Sequence, residues 1–302
     1  GAYWLGQSYE NLGKKDFSNK FYAEAAKFPM TYYGQLAFNK INPGGNFELV
    51  DQSSFSKEYE KEFKKNKLIR HIILLKELNA TQLGKDIFKH LAELNIESGS
   101  EVLAAELATS VERYDFAIQI SKKASYQKRF YNKFNYPIIA TPKTVNNKVM
   151  PKQEIVLAII RQESEFDKRA NSWAGARGMM QLMKPTAKIV AKQAKLPYSI
   201  SGLTQDPEYN IKLGSYYFNG LLEDYNGVFP FAIAAYNAGP NRVKTWRRVN
   251  GDPSKGQISY INWIEQIRFK ETRNYVQRVL ENINVYKYIL RKEPVQIDSY
   301  FN

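Results

Sequence analysis

Apolar residues recur at three- and four-residue spacing along almost the whole chain, and that periodicity confines it to a mainly α architecture with very little sheet. Trp4, Leu5, Tyr9 and Leu12 followed by Gly13 read as one amphipathic helix with a glycine stop. Asp16 opens a second, which carries Phe17, Phe21, Ala25 and Ala26 and stops near Pro29. The pair has the form of a single tetratricopeptide-like hairpin. Further helices are predicted over residues 31–39, 54–78, 81–94, 98–111 and 113–123, with a loop over 41–53 built around Pro43-Gly44-Gly45. The opening Gly-Ala-Tyr-Trp-Leu-Gly reads as helix interior, so further sequence is expected ahead of it, and localisation is not legible at this end.

Between residues 128 and 152 the texture changes. Aromatic residues, Pro137, Pro142, the polar run 143–148 and Pro151 predict an extended linker, with Pro151 in the first turn of a new helix. Two domains are therefore expected, a paired-helix scaffold over 1–135 and an α-rich domain over 136–302. Within the second, Asp206-Pro207 is a strong helix start, and residues 209–225 carry a wide apolar face. Residues 229–236 form a short alanine-rich helix ending at Asn237-Ala238-Gly239-Pro240. Residues 271–290 form a long terminal helix with Tyr275, Val276, Val279, Leu280 and Ile283 inward. The glycine-rich loop over 173–183 has room for a short strand.

Composition removes several chemistries. With 302 residues, 43% of them hydrophobic, and no apolar run of membrane-spanning length, the chain reads as a globular protein with no transmembrane segment. The absence of cysteine excludes disulfides, thiol catalysis and thiolate-bound zinc. Its two histidines, His71 and His90, lie in no ligand-like spacing, which argues against a serine–histidine hydrolase or a histidine metal site. The net charge is +14, and residues 136–302 hold 24 of the 44 basic and 14 of the 30 acidic residues, so +10 lies in that half. Such a surface suits an anionic partner, and equally a merely solvated one.

The helix predicted over 152–164 carries the most informative local feature. At about 100° per residue, Ile155, Val156, Ile159 and Ile160 form one stripe with Glu163 in its line, while Glu154, Arg161 and Glu165 are expected on the opposite, wet face. A carboxyl on an apolar stripe resists ionising, which suits a general acid working near neutral pH. Periodicity alone also permits the stripe to end at Ile160, with Glu163 a solvated residue at the helix end.

Four blocks decide between these readings. Arg161-Gln162-Glu163-Ser164-Glu165-Phe166 is followed by Ala174-Gly175-Ala176-Arg177-Gly178-Met179-Met180-Gln181-Leu182-Met183 and Pro185-Thr186-Ala187, then by Ala235-Tyr236-Asn237-Ala238-Gly239-Pro240, and finally by Glu271-Thr272-Arg273-Asn274-Tyr275-Val276. In this order and spacing, over roughly 152–290, they resemble the catalytic domain of the soluble lytic transglycosylases. The resemblance implies a lysozyme-like domain set on an α-superhelix, whose best matching stretch here is Tyr33-Gly34-Gln35-Leu36-Ala37. It implies Glu163 as the catalytic residue and Ser172, Gln181 and Met183 lining a sugar cleft. It also implies Tyr236 bonded to the catalytic carboxylate, Asn237 beside it at the substrate, and Glu271 across the groove. Each has a plainer alternative: Ser172 and Gln181 as loop hydrogen-bonders, Met183 as packing, the Tyr236–Asn237 segment as a helix stop, and Glu271 as a favourable helix-start charge. Met179 stands where the family usually has leucine, and Lys184 separates Met183 from Pro185 where the family's proline follows directly, which bears on the shape of the cleft wall.

What the resemblance implies chemically is cleavage of peptidoglycan glycan strands between N-acetylmuramic acid and N-acetylglucosamine, closing a 1,6-anhydro ring, with no metal or cofactor and a periplasmic setting. The rival readings are a goose-type muramidase that delivers water, an inactive glycan-binding scaffold, and nucleic-acid binding. The last rests on charge and on Arg247-Arg248 after Trp246, without a recognised motif, so no nucleic acid is expected.

Overall fold

The computed structural model describes residues 1–46, 49–294 and 296–301. The N-terminal helices are α1 (Ala2–Asn11), α2 (Lys15–Ala26) and α3 (Tyr32–Ile41), the first two packed as the expected hairpin. Thr31 caps α3 by accepting a hydrogen bond from the Gly34 amide at 3.1 Å. Of the predicted 41–53 loop, residues 47 and 48 lie outside the described residues.

A second run follows: α4 (Lys57–Lys64), α5 (Lys67–Glu77), α6 (Lys85–Glu93), α7 (Ser100–Ser110), α8 (Tyr114–Ser125) and the single turn α9 (Asn132–Asn135). The helix expected over 54–78 is thus two helices. Asn66 interrupts it by taking its side chain to the Leu68 amide (2.9 Å) as the N-cap of α5, a use of asparagine that helical spacing does not reveal. The 81–94 segment likewise opens with a tighter 3-10 turn, Thr81–Gly84.

The 128–152 linker holds α9 and a small antiparallel hairpin, β1 (Thr144–Val145) with β2 (Lys148–Val149), turned by Asn146 and Asn147, both left-handed. Pro151 falls just outside α10 (Gln153–Ser164), because Lys152 is still extended. Then come α11 (Lys184–Gln193), the turn α12 (Gly202–Gln205), α13 (Pro207–Asp224), α14 (Phe229–Ala238), α15 (Pro240–Val249), α16 (Tyr260–Glu265) and α17 (Lys270–Arg291). Asp206 caps α13 through the Tyr209 amide (3.0 Å) with Pro207 in the first position, as its sequence predicts. Among the described residues no helix is long and apolar enough to cross a membrane.

Core packing joins the first three helices to the later ones. Tyr3, Tyr22, Tyr32 and Leu36 of the first three helices share one core with α10, α14 and α17, whereas Tyr59, Phe63, Ile72, Phe88, Leu91 and Phe134 belong to another. The seam between α3 and α17 is polar as well as apolar. The Tyr32 amide donates to the buried Glu281 carboxylate (2.5 Å), Gln35 donates to the Glu281 carbonyl (3.1 Å), and Asn284 donates to Gln35 Oε1 (3.0 Å). The middle unit leaves and returns at one place: the Gln52 amide donates to the Phe130 carbonyl (2.7 Å), and Asn132 Nδ2 to the Val50 carbonyl (2.6 Å).

Candidate active site

Helix α10 is buried on nearly every side from Glu154 to Ile160, so the wet face expected for Glu154, Arg161 and Glu165 is corrected. Glu154 is only 3% exposed and accepts from Arg291 Nη2 at 2.8 Å. Arg161 donates to the Asn135 carbonyl (2.9 Å) and side chain (2.6 Å) and lies over the Tyr136 ring. Glu165 pairs with Lys122 at 2.5 Å. The partners come from 26 to 137 residues away, so no local pattern could announce them. The helix ends abruptly because Glu165 and Phe166 are both left-handed (φ 51° and 68°), a conformation rare for such side chains and held here by the buried Phe166 against Tyr114. Glu163 is left in the last turn.

Beyond that turn, residues 170–183 form an arm that doubles back through isolated bridges, Asn171 with Arg177 and Arg177 with Leu182; these are the only strand-like pairing the glycine-rich loop shows among the described residues. Ser164 ties the arm to α10 by donating to the Met179 carbonyl at 2.8 Å. Asn210, buried on α13, ties it from the other side, accepting from the Met180 amide (2.8 Å) and donating to the Arg177 (2.9 Å) and Leu203 (3.0 Å) carbonyls. Gly178 makes this approach possible: with φ +74°, a Cβ there would lie 2.0 Å from the Leu203 carbonyl oxygen. Ser172 accepts from the Ala176 amide (3.0 Å), and Gln181 donates to the Gly178 carbonyl (2.8 Å), so both hydrogen-bond within the arm. Met183 stands at its far end, 41% exposed, as the N-cap residue of α11.

The carboxyl of Glu163 receives its hydrogen bond from Tyr275, whose hydroxyl lies 2.6 Å from Oε1. This corrects the expectation for Tyr236, whose hydroxyl instead donates to the Met180 carbonyl at 2.7 Å and so holds the arm. The reason is packing: α17 runs along α10 and lowers Tyr275 onto Glu163, while α14 presents Tyr236 to the loop. Both phenols are driven well above their ordinary range, chiefly by burial and then by the charge of Glu163. Glu163 keeps part of its surface open, but its carboxyl is closely surrounded by protein. Burial pushes it up to about 7, the Tyr275 hydrogen bond pulls it down, and the Glu271 charge pushes it up again. Glu271 is exposed in the first turn of α17. Its neighbour Thr272 donates to Asn237 Oδ1 (2.7 Å), so Asn237 pins the start of α17 to the end of α14.

Two residues of this assembly escaped the sequence reading in their present parts. Tyr275 reads as packing, although a buried phenol demands a polar partner, and Asn210 is an amide on an otherwise apolar face, a signal of the same kind. Replacing Tyr275 by phenylalanine removes a bond that favours the ionised carboxyl. The alkaline limb of the pH–rate profile is therefore expected to move to higher pH; an unmoved limb with lowered activity would mean that Tyr275 only packs.

Residues 142–259 match the family model for the transglycosylase SLT domain. The soluble lytic murein transglycosylase of Escherichia coli K12 is 39% identical over 148 residues, 49% of this chain and 22% of that protein. A Haemophilus influenzae chain bearing the same family name is 30% identical over 272 residues, 89% of this chain and 44% of its own. Residues 142–259 are therefore a transglycosylase SLT domain, and the similarity to the soluble lytic murein transglycosylases runs along most of the chain. The crystal structure of the 70 kDa soluble lytic transglycosylase of Escherichia coli superposes with a TM-score of 0.81 at 25% identity, covering 97% of this chain and 46% of that one. The helical, lysozyme-like architecture is thus common to both. The chain spans less than half the length of each of these relatives.

Proposed function

We propose that this chain cleaves the β-1,4 bond between N-acetylmuramic acid and N-acetylglucosamine in peptidoglycan without consuming water, with Glu163 as its one acid and base. The observation that carries the reading is the Glu163 carboxyl, raised to about 7 at the end of a buried helix and hydrogen-bonded by Tyr275. Such a group holds its proton near neutral pH and gives it to a leaving oxygen. Two-carboxylate glycosidases need a second acid placed at the reacting carbon. The sequence neighbours are otherwise engaged: Glu165 with Lys122, and Asp167 with the Arg169 amide at 2.9 Å.

In this reading Tyr275 occupies Oε1, so Oε2 carries the proton. That proton passes to the glycosidic oxygen as the bond to C1 breaks, and the muramoyl N-acetyl group stabilises the cation. The Glu163 carboxylate then takes the proton of the C6 hydroxyl as O6 closes on C1, which regenerates the acid. Ser172, Gln181 and Met183 on the arm, Tyr236 and Asn237 at its base, and Glu271 opposite would bound the strand. Residues 136–302 supply the reacting groups and residues 1–135 the frame around them. The +14 charge suits a polymer carrying lactyl and peptide carboxylates, and that substrate places the protein in the periplasm.

Digestion of purified peptidoglycan, followed by mass measurement of the muropeptides, tests this. The expected products lack one water and end in 1,6-anhydromuramoyl groups. Reducing muramoyl ends would replace the reading with a muramidase, and no products would leave a binding scaffold.

A further inference from the structure

Trp173 is fully exposed, at 100%, whereas Trp263 and Trp246 are buried and Trp4 packs edge-on against Tyr3. Its backbone is nevertheless fixed. It occupies the second position of a tight turn in which the Gly175 amide donates to the Ser172 carbonyl and the Ser172 amide to the Ala176 carbonyl, both at 2.9 Å. The Ala176 amide adds a third bond, to Ser172 Oγ at 3.0 Å. This turn is the tip of the arm that Ser164, the residue next to Glu163, holds through the Met179 carbonyl. The indole is therefore the free end of a rigid lever whose other end is the catalytic helix.

A large aromatic ring kept wholly in water does nothing for folding, and an exposed apolar group on an ordered support is the informative kind of exposure. With its backbone already fixed by the turn, the residue has only its two side-chain torsions left to order when the ring is covered. The covering surface must be flat, about one ring across, apolar on its face and polar on its edge. A pyranose meets that description: its C–H face stacks on the indole while its hydroxyls stay in water. The geometry points to Trp173 as a sugar-stacking platform that binds one N-acetylhexosamine ring of the strand beside the scissile bond. This assignment rests on the glycan-cleaving reading above.

The test uses the Glu163→Gln protein, which would bind without cutting, and a tetramer of β-1,4-linked N-acetylglucosamine. Saturating sugar is expected to shift tryptophan emission to the blue and to protect it from acrylamide quenching. In the same background Trp173→Ala should abolish both signals and weaken calorimetric affinity about tenfold, equivalent to about 1.4 kcal/mol. Trp173→Phe should restore part of the affinity, and circular dichroism verifies that each variant is folded. Equal affinity of the parent and Trp173→Ala overturns the platform while leaving the reaction intact, provided that the unmutated protein still releases muropeptides. If the unmutated protein releases none and the Glu163→Gln parent binds no tetramer, both assignments fall together.

Discussion

Replacing Glu163 with glutamine is expected to lower peptidoglycan turnover by at least about a thousandfold while leaving glycan affinity nearly unchanged. Glutamine keeps an oxygen to accept from Tyr275, so the local packing survives, but it has no proton to deliver or retrieve. The same change should stabilise the fold at alkaline pH. The Glu163 carboxyl titrates near 7 in the folded protein against 4.5 ordinarily. Between those values the folded state binds the proton more tightly than the unfolded one, so stability is greatest below 4.5 and falls as pH rises through 7. The loss is at most about 3 kcal/mol, or several degrees in melting temperature for a chain of this size. Thermal melts of the two proteins should therefore coincide at pH 4 and separate at pH 8, with the glutamine variant higher. Equal separation at both values would trace the difference to packing rather than to the charge. The catalytic acid would then be a group that the fold tolerates rather than one that supports it.

Gly178→Ala should be the most damaging single-methyl change in the arm. The added carbon would stand 2.0 Å from the Leu203 carbonyl oxygen and 2.4 Å from Asn210 Nδ2, at a backbone φ of +74°. Relief requires either breaking the Asn210 hydrogen bonds or displacing the arm, and the expected loss is about 3 kcal/mol or more. Turnover should drop about a hundredfold in whatever folded protein remains, because an ångström of displacement at a reacting site has that effect. Gly175→Ala is the matched control: φ is +88° there, but nothing lies within 4 Å of the new carbon. Its loss should be about 1 kcal/mol, the left-handed strain alone. Comparable melts for the two variants would show that the arm adapts freely and that its close seat on Asn210 is unimportant.

Glu163 is legible as a candidate because a carboxyl in line with Ile155, Ile159 and Ile160 contradicts the pattern around it, and because four blocks around it resemble one family. Caps written into adjacent residues, such as Asp206-Pro207, were legible too. What could not be read depends on segments meeting across the chain. Tyr236 and Tyr275 are both buried phenols near a carboxyl, and only the course of α17 along α10 decides which one reaches Glu163. Glu154 looks like a wet-face residue until Arg291 arrives from the last turn of α17. Asn66 looks like one polar position within a long helix until its side chain turns back to the Leu68 amide.

The adjoining exit and return of the middle unit also bears on how such a chain can be recombined. Residues 50–52 and 130–132 are hydrogen-bonded neighbours, so whatever lies between them is closed off at a fixed, narrow gate. A longer or shorter middle piece adds only a slowly growing closure penalty and leaves the gate unchanged. The pairing of α3 with α17 enjoys no such freedom. The buried carboxylate of Glu281 needs the Tyr32 amide, and Gln35 needs Asn284, so a chimera that takes α3 and α17 from different parents must rebuild that pairing from both sides. Exchange within residues 53–129 is therefore least costly where it keeps Tyr114 and Lys122, which meet Phe166 and Glu165, whereas the α3–α17 pairing has to be carried over whole.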